Sequence, residues 1–136
     1  MASHLRRHAP GMRFHVCLSG GAVLASGVAA MRMLDGKDAL GFLNGALTLG
    51  GGLVICGLFS LKSYWHGLIG AGVLALLGAA RGVANLPDAM RYFSGDSARG
   101  VAPLLELGVT LVCLVLLVRV LRALQQERIR RMLAEE

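Results

Sequence analysis

Four long stretches of the chain are apolar almost without interruption, and short polar segments separate them. Their boundaries fall at about Phe14–Met33, Leu40–Leu61, Gly67–Leu86 and Val101–Leu121. Each is close to the ~20 residues that a helix needs to cross a hydrocarbon core. In lipid the backbone must satisfy its own hydrogen bonds, which leaves helices as the way to place such runs. The pattern predicts an all-α integral membrane protein built as a four-helix transmembrane bundle. The connections hold MLDGKDA, KSYWH and PDAMRYFSGDSARG, and Pro87, Gly95 and Gly100 are the expected breakers. Three parts follow: a basic segment 1–13, a membrane domain 14–121 and a helical C-terminal tail 122–136.

Composition agrees with this class. Of the 136 residues, 55% are hydrophobic and 16% charged, against about 25% charged in an ordinary soluble domain. The 19 glycines serve close approach between membrane helices, where small residues replace the hydrophobic effect as the source of packing. In the first span Gly21 and Ala25 form such a stripe with Cys17 and Ala29. The second offers Gly41, Gly45 and Gly52, and the third Gly78 and Gly82 in a GxxxG spacing. The fourth span, LVCLVLLVRVL, is bulky and is expected to face lipid.

The net charge of +6 would suit a nucleic-acid partner, but the positions of the charges speak for topology instead. Nine of the 14 basic residues flank the span ends on one predicted side: Arg6, Arg7 and Arg13, Lys62, and Arg119, Arg122, Arg128, Arg130 and Arg131. The first and third connections hold Arg32, Lys37, Arg91 and Arg99, together with all four aspartates. The asymmetry predicts both termini in the cytoplasm, two hairpins pointing outward and residence in the cell (inner) membrane. Arg6, Arg7 and Arg13 ahead of an apolar run, with Val28-Ala29-Ala30 after it, also fit a cleavable signal. The run is longer than a usual signal core and is read here as a span.

Two segments echo each other in register, Met31–Gly41 and Met90–Gly100, sharing Met, Arg, Gly, Ala and Gly. They raise the expectation of two parallel repeats of a helical hairpin, an arrangement whose interface often holds a membrane protein's site.

Chemistry is concentrated in two charges inside spans, Arg81 and Glu106. Each lies about five residues from the shared connection, so antiparallel helices would set them at nearly one depth. A charge in the membrane costs at least ~2.5–3.5 kcal/mol, so it is rare without a partner or a function. Arg81 with Asn85, and Glu106 with Thr110, share helix faces at i, i+4, and Asn44 is predicted near the same level. The intramembrane polar cluster is therefore Arg81, Glu106, Asn44, Asn85 and Thr110, with Ser26 of the first span near it. A bidentate Arg81–Glu106 pair stapling two helices is the simplest expectation, and a proton- or anion-responsive site the alternative.

No nucleotide-binding loop, HExxH, CxxC or GxSxG is present. His4 and His8 are two possible metal ligands but not a closed set, and His15 with His66 need no haem to explain interfacial positions. The sequence implies no metal, no cofactor and no enzyme. It fits a small accessory or assembly subunit acting through helix packing, its partners being the bilayer, other membrane subunits or its own copies. The basic tail suits anionic lipid, and no nucleic acid is expected. The alternative is an oligomeric transporter or channel for a small ion or solute using Arg81 and Glu106.

Overall fold

The computed structural model describes residues 9–96 and 100–135. It contains α1 (Ala9–Met33), α2 (Gly36–Lys62), α3 (Tyr64–Ala84), α4 (Leu86–Phe93) and α5 (Ala102–Ala134), and no strand among the described residues. All but α4 are long and apolar enough to span a membrane. Their outward faces carry large apolar side chains, among them Leu18, Ile55, Phe59, Leu76 and Leu111. Exposed apolar surface on this scale is untenable in water and costs nothing against lipid tails. Only 17% of the apolar window of α5 is buried, against 33% for α3, so α5 is the most lipid-facing of the four.

The connections are tighter than the sequence suggests. α2 begins at Gly36 rather than Leu40, and α3 at Tyr64 rather than Gly67. Ser63 alone breaks the chain between α2 and α3, with extended backbone at φ −137° and ψ 98°. The third connection, expected as a loop, contains α4. α3 ends at Ala84, and Asn85, with φ −90° and ψ 2°, breaks the helix two residues before Pro87. Pro87 sits in the first turn of α4, where its missing N–H costs nothing. Ala89 of α4 is buried, and Leu86, Met90 and Phe93 point outward.

α4 closes in a Schellman turn: the Asp96 N–H donates to the Arg91 carbonyl and that of Gly95 to the Tyr92 carbonyl, both at 3.1 Å. Gly95 takes φ +96°, which side chains disfavour. Its counterpart in the echoed segment, Gly36, also has a positive φ, +56°. Beyond this shared glycine the two copies differ, since one opens α2 directly and the other follows a separate short helix.

Consecutive long helices are antiparallel, α1 on α2, α2 on α3 and α3 on α5, with α5 returning to touch α1. The C-terminus of α5 therefore lies at the same end of the bundle as the start of α1. Glycines set the closest approaches. A Cβ at Gly20 would lie 3.0 Å from the Gly50 carbonyl, and one at Gly50 3.0 Å from the Gly20 carbonyl, so α1 and α2 cross backbone to backbone there. On α3, Gly78 faces Cys113 and Gly82 faces Thr110 of α5.

The stripe on α1 runs one residue away from the expected one. Gly20, Val23, Gly27 and Ala30 are buried, while Gly21 and Ala25 are exposed and nothing lies within 4 Å of a Cβ at Gly21. Gly41 of α2 is likewise open, whereas Gly52 packs on Leu74. One residue is a 100° turn of a helix, and the Gly20-Gly21 doublet offers a small residue on either face.

The two ends of the bundle differ. Towards the termini, Val16, Leu53, Leu68, Ala71, Ala75, Leu116 and Val120 form a closed apolar core. Towards the α1–α2 connection and α4, hereafter the hairpin end, the helices part around a cavity.

Candidate functional site

The cavity has a volume of about 510 Å³ and is bounded by α2, α3 and α5. Every member of the expected polar cluster lines it: Asn44 from α2, Arg81 and Asn85 from α3, Glu106 and Thr110 from α5. Gly45, Gly78 and Gly82 line it too, where their missing side chains leave room. Lys37 and Asp38, from the first turn of α2, stand at its mouth; their helix begins earlier than the apolar run, so hydropathy alone places them in the connection. Ser26 is not among the lining residues and turns back on its own helix, donating to the Val23 carbonyl at 2.7 Å.

Arg81 and Glu106 share this wall at different levels. Gly72 faces Val120, Gly78 faces Cys113 and Gly82 faces Thr110, so each step along α3 matches one step back along α5. This register sets Glu106 opposite Asn85 and Leu86, and Arg81 opposite Leu111. The offset is four to five residues, about 6–7.5 Å at 1.5 Å per residue. Among the described residues no ion pair joins Arg81 to Glu106. Equal distances from the connection implied equal depth only for a symmetric hairpin. α4 makes the connection asymmetric, and α5 begins well beyond the end of α3.

Arg81 instead lies against α2. A Cβ built at Gly45 is 3.8 Å from Cζ, Nη1 and Nη2 alike. A point equidistant from those three atoms lies over the guanidinium face, so the flat side of the group is turned to Gly45 on the cavity wall. Asn85, one turn further along α3, shares that face. Thr110 donates to the Glu106 carbonyl at 2.7 Å, which fixes its side chain with both hydroxyl and methyl against Gly82. The Oε2 atom of Glu106 is buried.

Depth orders the lining by polarity. Lys37, Asp38, Asn85 and Glu106 occupy the hairpin end, and Arg81, Asn44 and Thr110 the middle. Leu49, Leu74 and Leu77 form the floor above the closed core. From Lys37 to Leu49 is twelve residues of α2, about 18 Å. The cavity thus runs through roughly half of a ~30 Å hydrocarbon core and stops.

At the opposite end a second polar group ties α5 to the bundle. The Arg131 guanidinium lies 4.6 Å from the Trp65 ring centroid and its Nε lies 3.8 Å from Glu127. Arg13 is 5.8 Å from the Tyr64 ring centroid. α5 runs unbroken for 33 residues, so the C-terminal tail is the continuation of the fourth span. His15 bonds to the Gly11 carbonyl and His66 to Ser63, each within local reach. His4 and His8 lie outside the described residues, as do Arg6, Arg7 and Arg99. Among the described residues no three His, Cys, Asp or Glu side chains converge as metal ligands would.

No protein-family model, curated protein or solved structure matches this chain. Its four helices are long and apolar enough to cross a membrane and are compatible with a multi-pass membrane protein.

Proposed function

We propose that this chain is a non-enzymatic accessory subunit of the membrane, whose own contribution is a receptacle at the hairpin end. The observation that carries this reading is the contrast between the two halves. The polar residues converge on one cavity, and that cavity ends on an apolar core whose Leu53, Ala71 and Ala75 are wholly buried. A conducting path needs polar or wet lining through both halves. A receptacle needs it through one. The bias of basic residues to the opposite end supports placing the cavity towards the outside, with both termini in the cytoplasm.

The assembly role draws support from α1. Gly21, Ala22 and Ala25 face outward, and small residues at i, i+4 on a lipid-facing surface suit close approach by another helix. Gly21→Ile with Ala25→Ile should leave the isolated chain folded and reduce co-purification of its membrane partners. Unchanged co-purification would count against this face.

Transport is the second reading, favoured by the intramembrane charges lining one cavity. Purified chain in liposomes decides between them. The receptacle reading expects no flux of small ions. Wild-type flux that Glu106→Gln abolishes would replace it with the transporter reading.

A further inference from the structure

We infer that the cavity takes one phospholipid with a zwitterionic headgroup, its phosphate on Arg81 and its chain against the apolar floor. This deepens the receptacle reading and rests on it.

Size comes first. At about 30 Å³ per water, 510 Å³ holds on the order of 17 waters, far more than a bare inorganic anion requires. Shape comes second. A depth of about 18 Å is one leaflet's share of the bilayer, and polarity falls along it as it does along an amphiphile. A soluble solute gains nothing from Leu49, Leu74 and Leu77 at the floor, whereas an acyl chain does. The apolar flanks of α2, α3 and α5 also adjoin lipid, so a chain entering from the side keeps its tail dry throughout.

Charge selects the headgroup. The Arg81 guanidinium lines the cavity with its flat side turned to Gly45, and its planar fork of donors is the group that grips a phosphate with two parallel hydrogen bonds. The Asn85 amide stands one turn away as a further donor. Lys37 and Arg81 are balanced on the same lining by Asp38 and Glu106, so the formal charge of the wall is zero. A headgroup with several negative charges meets two carboxylates there. A phosphate carrying its own ammonium meets a wall of matching balance.

The test is native mass spectrometry of the full chain, released from detergent after incubation with mixed vesicles. These contain equal phosphatidylethanolamine, phosphatidylglycerol and cardiolipin. The expected result is one retained phosphatidylethanolamine per chain, with retention falling about tenfold or more in Arg81→Gln. Val109→Phe keeps Arg81 but fills the middle of the cavity, and should lose the lipid equally; it decides the matter if Arg81→Gln does not fold. Three results would overturn the inference: no retained lipid, retention unchanged in both variants, or preference for cardiolipin. Soluble phosphoethanolamine supplies the other arm. If the headgroup alone protects the chain as well as the lipid does, the ligand is a soluble phosphate ester and the lipid inference fails. Solvent access to the cavity, read from cysteine labelling at position 44, tests the receptacle reading separately from any lipid.

Discussion

The Arg81 guanidinium of α3 turns its flat side to Gly45 of α2 on the cavity wall, and among the described residues no ion pair joins it to Glu106. A Cβ at position 45 would sit in ordinary van der Waals contact with the group, 3.8 Å away. Gly45→Ala should therefore keep the Arg81 geometry. It should also raise stability by up to about 1 kcal/mol, the helix-propensity difference between the two residues. Gly45→Leu should displace the guanidinium and fill the cavity while the bundle still folds. Thermal melting in detergent and lipid retention check the pair; a Leu variant that retains lipid like the wild type would contradict the assigned position of Arg81.

The α3–α5 seam makes the opposite prediction for Gly82. A methyl there would overlap the Thr110 side chain, which Glu106's carbonyl holds in place. Gly82→Ala should cost about 1–3 kcal/mol, the usual range for overpacking. Thr110→Ala removes the oxygen and the methyl in the way. The double variant should be less destabilised than the two singles added together, which a double-mutant cycle in detergent melts measures. Simple additivity would mean the helices do not meet at this pair.

Adjacent glycines in α1 should behave differently. Gly20→Ala meets Val54 and the Gly50 carbonyl and cannot be absorbed by a rotamer change alone, so melting should fall. Gly21→Ala enters open space and should leave melting unchanged or slightly raised. Equal effects would show that the α1 face is misassigned.

At the termini end, Arg131 over Trp65 should matter more than the Glu127–Arg131 pair. Arg131 is 63% and Glu127 38% exposed, and exposed pairs of this kind contribute little. A cation–π contact at an exposed site is worth about 0.5–1 kcal/mol. Trp65→Ala should speed amide exchange in the last two turns of α5 by about two- to fivefold, and Glu127→Gln should change it less. The reverse order would remove Trp65 as the anchor.

Much of this architecture is legible in the sequence, because run length is a one-dimensional quantity. Four spans and the continuation of α5 into the tail follow from it directly. The gathering of Asn44, Arg81, Asn85, Glu106 and Thr110 at one end follows from counting residues inward from the connections. Rotation and register are not legible in the same way. Gly20 and Gly21 are chemically alike, so composition cannot say which one meets α2. The offset between Arg81 and Glu106 depends on α4, whose Pro87 and Asp88 read equally as a loop or as the first turn of a helix. Lys37 and Asp38 joined the cavity because α2 extends past its apolar run, which hydropathy does not register.

The cavity opens at one end of the bundle and is closed by the apolar core at the other. Single cysteines in a background with Cys17, Cys56 and Cys113 changed to alanine test it most directly, using a membrane-impermeant maleimide on oriented vesicles. Asn44→Cys should be modified from the hairpin side alone, and Ala75→Cys, at a wholly buried core position, from neither side. Modification at position 75 at a rate near that of position 44, or none at position 44, would show that the cavity is not closed in this way.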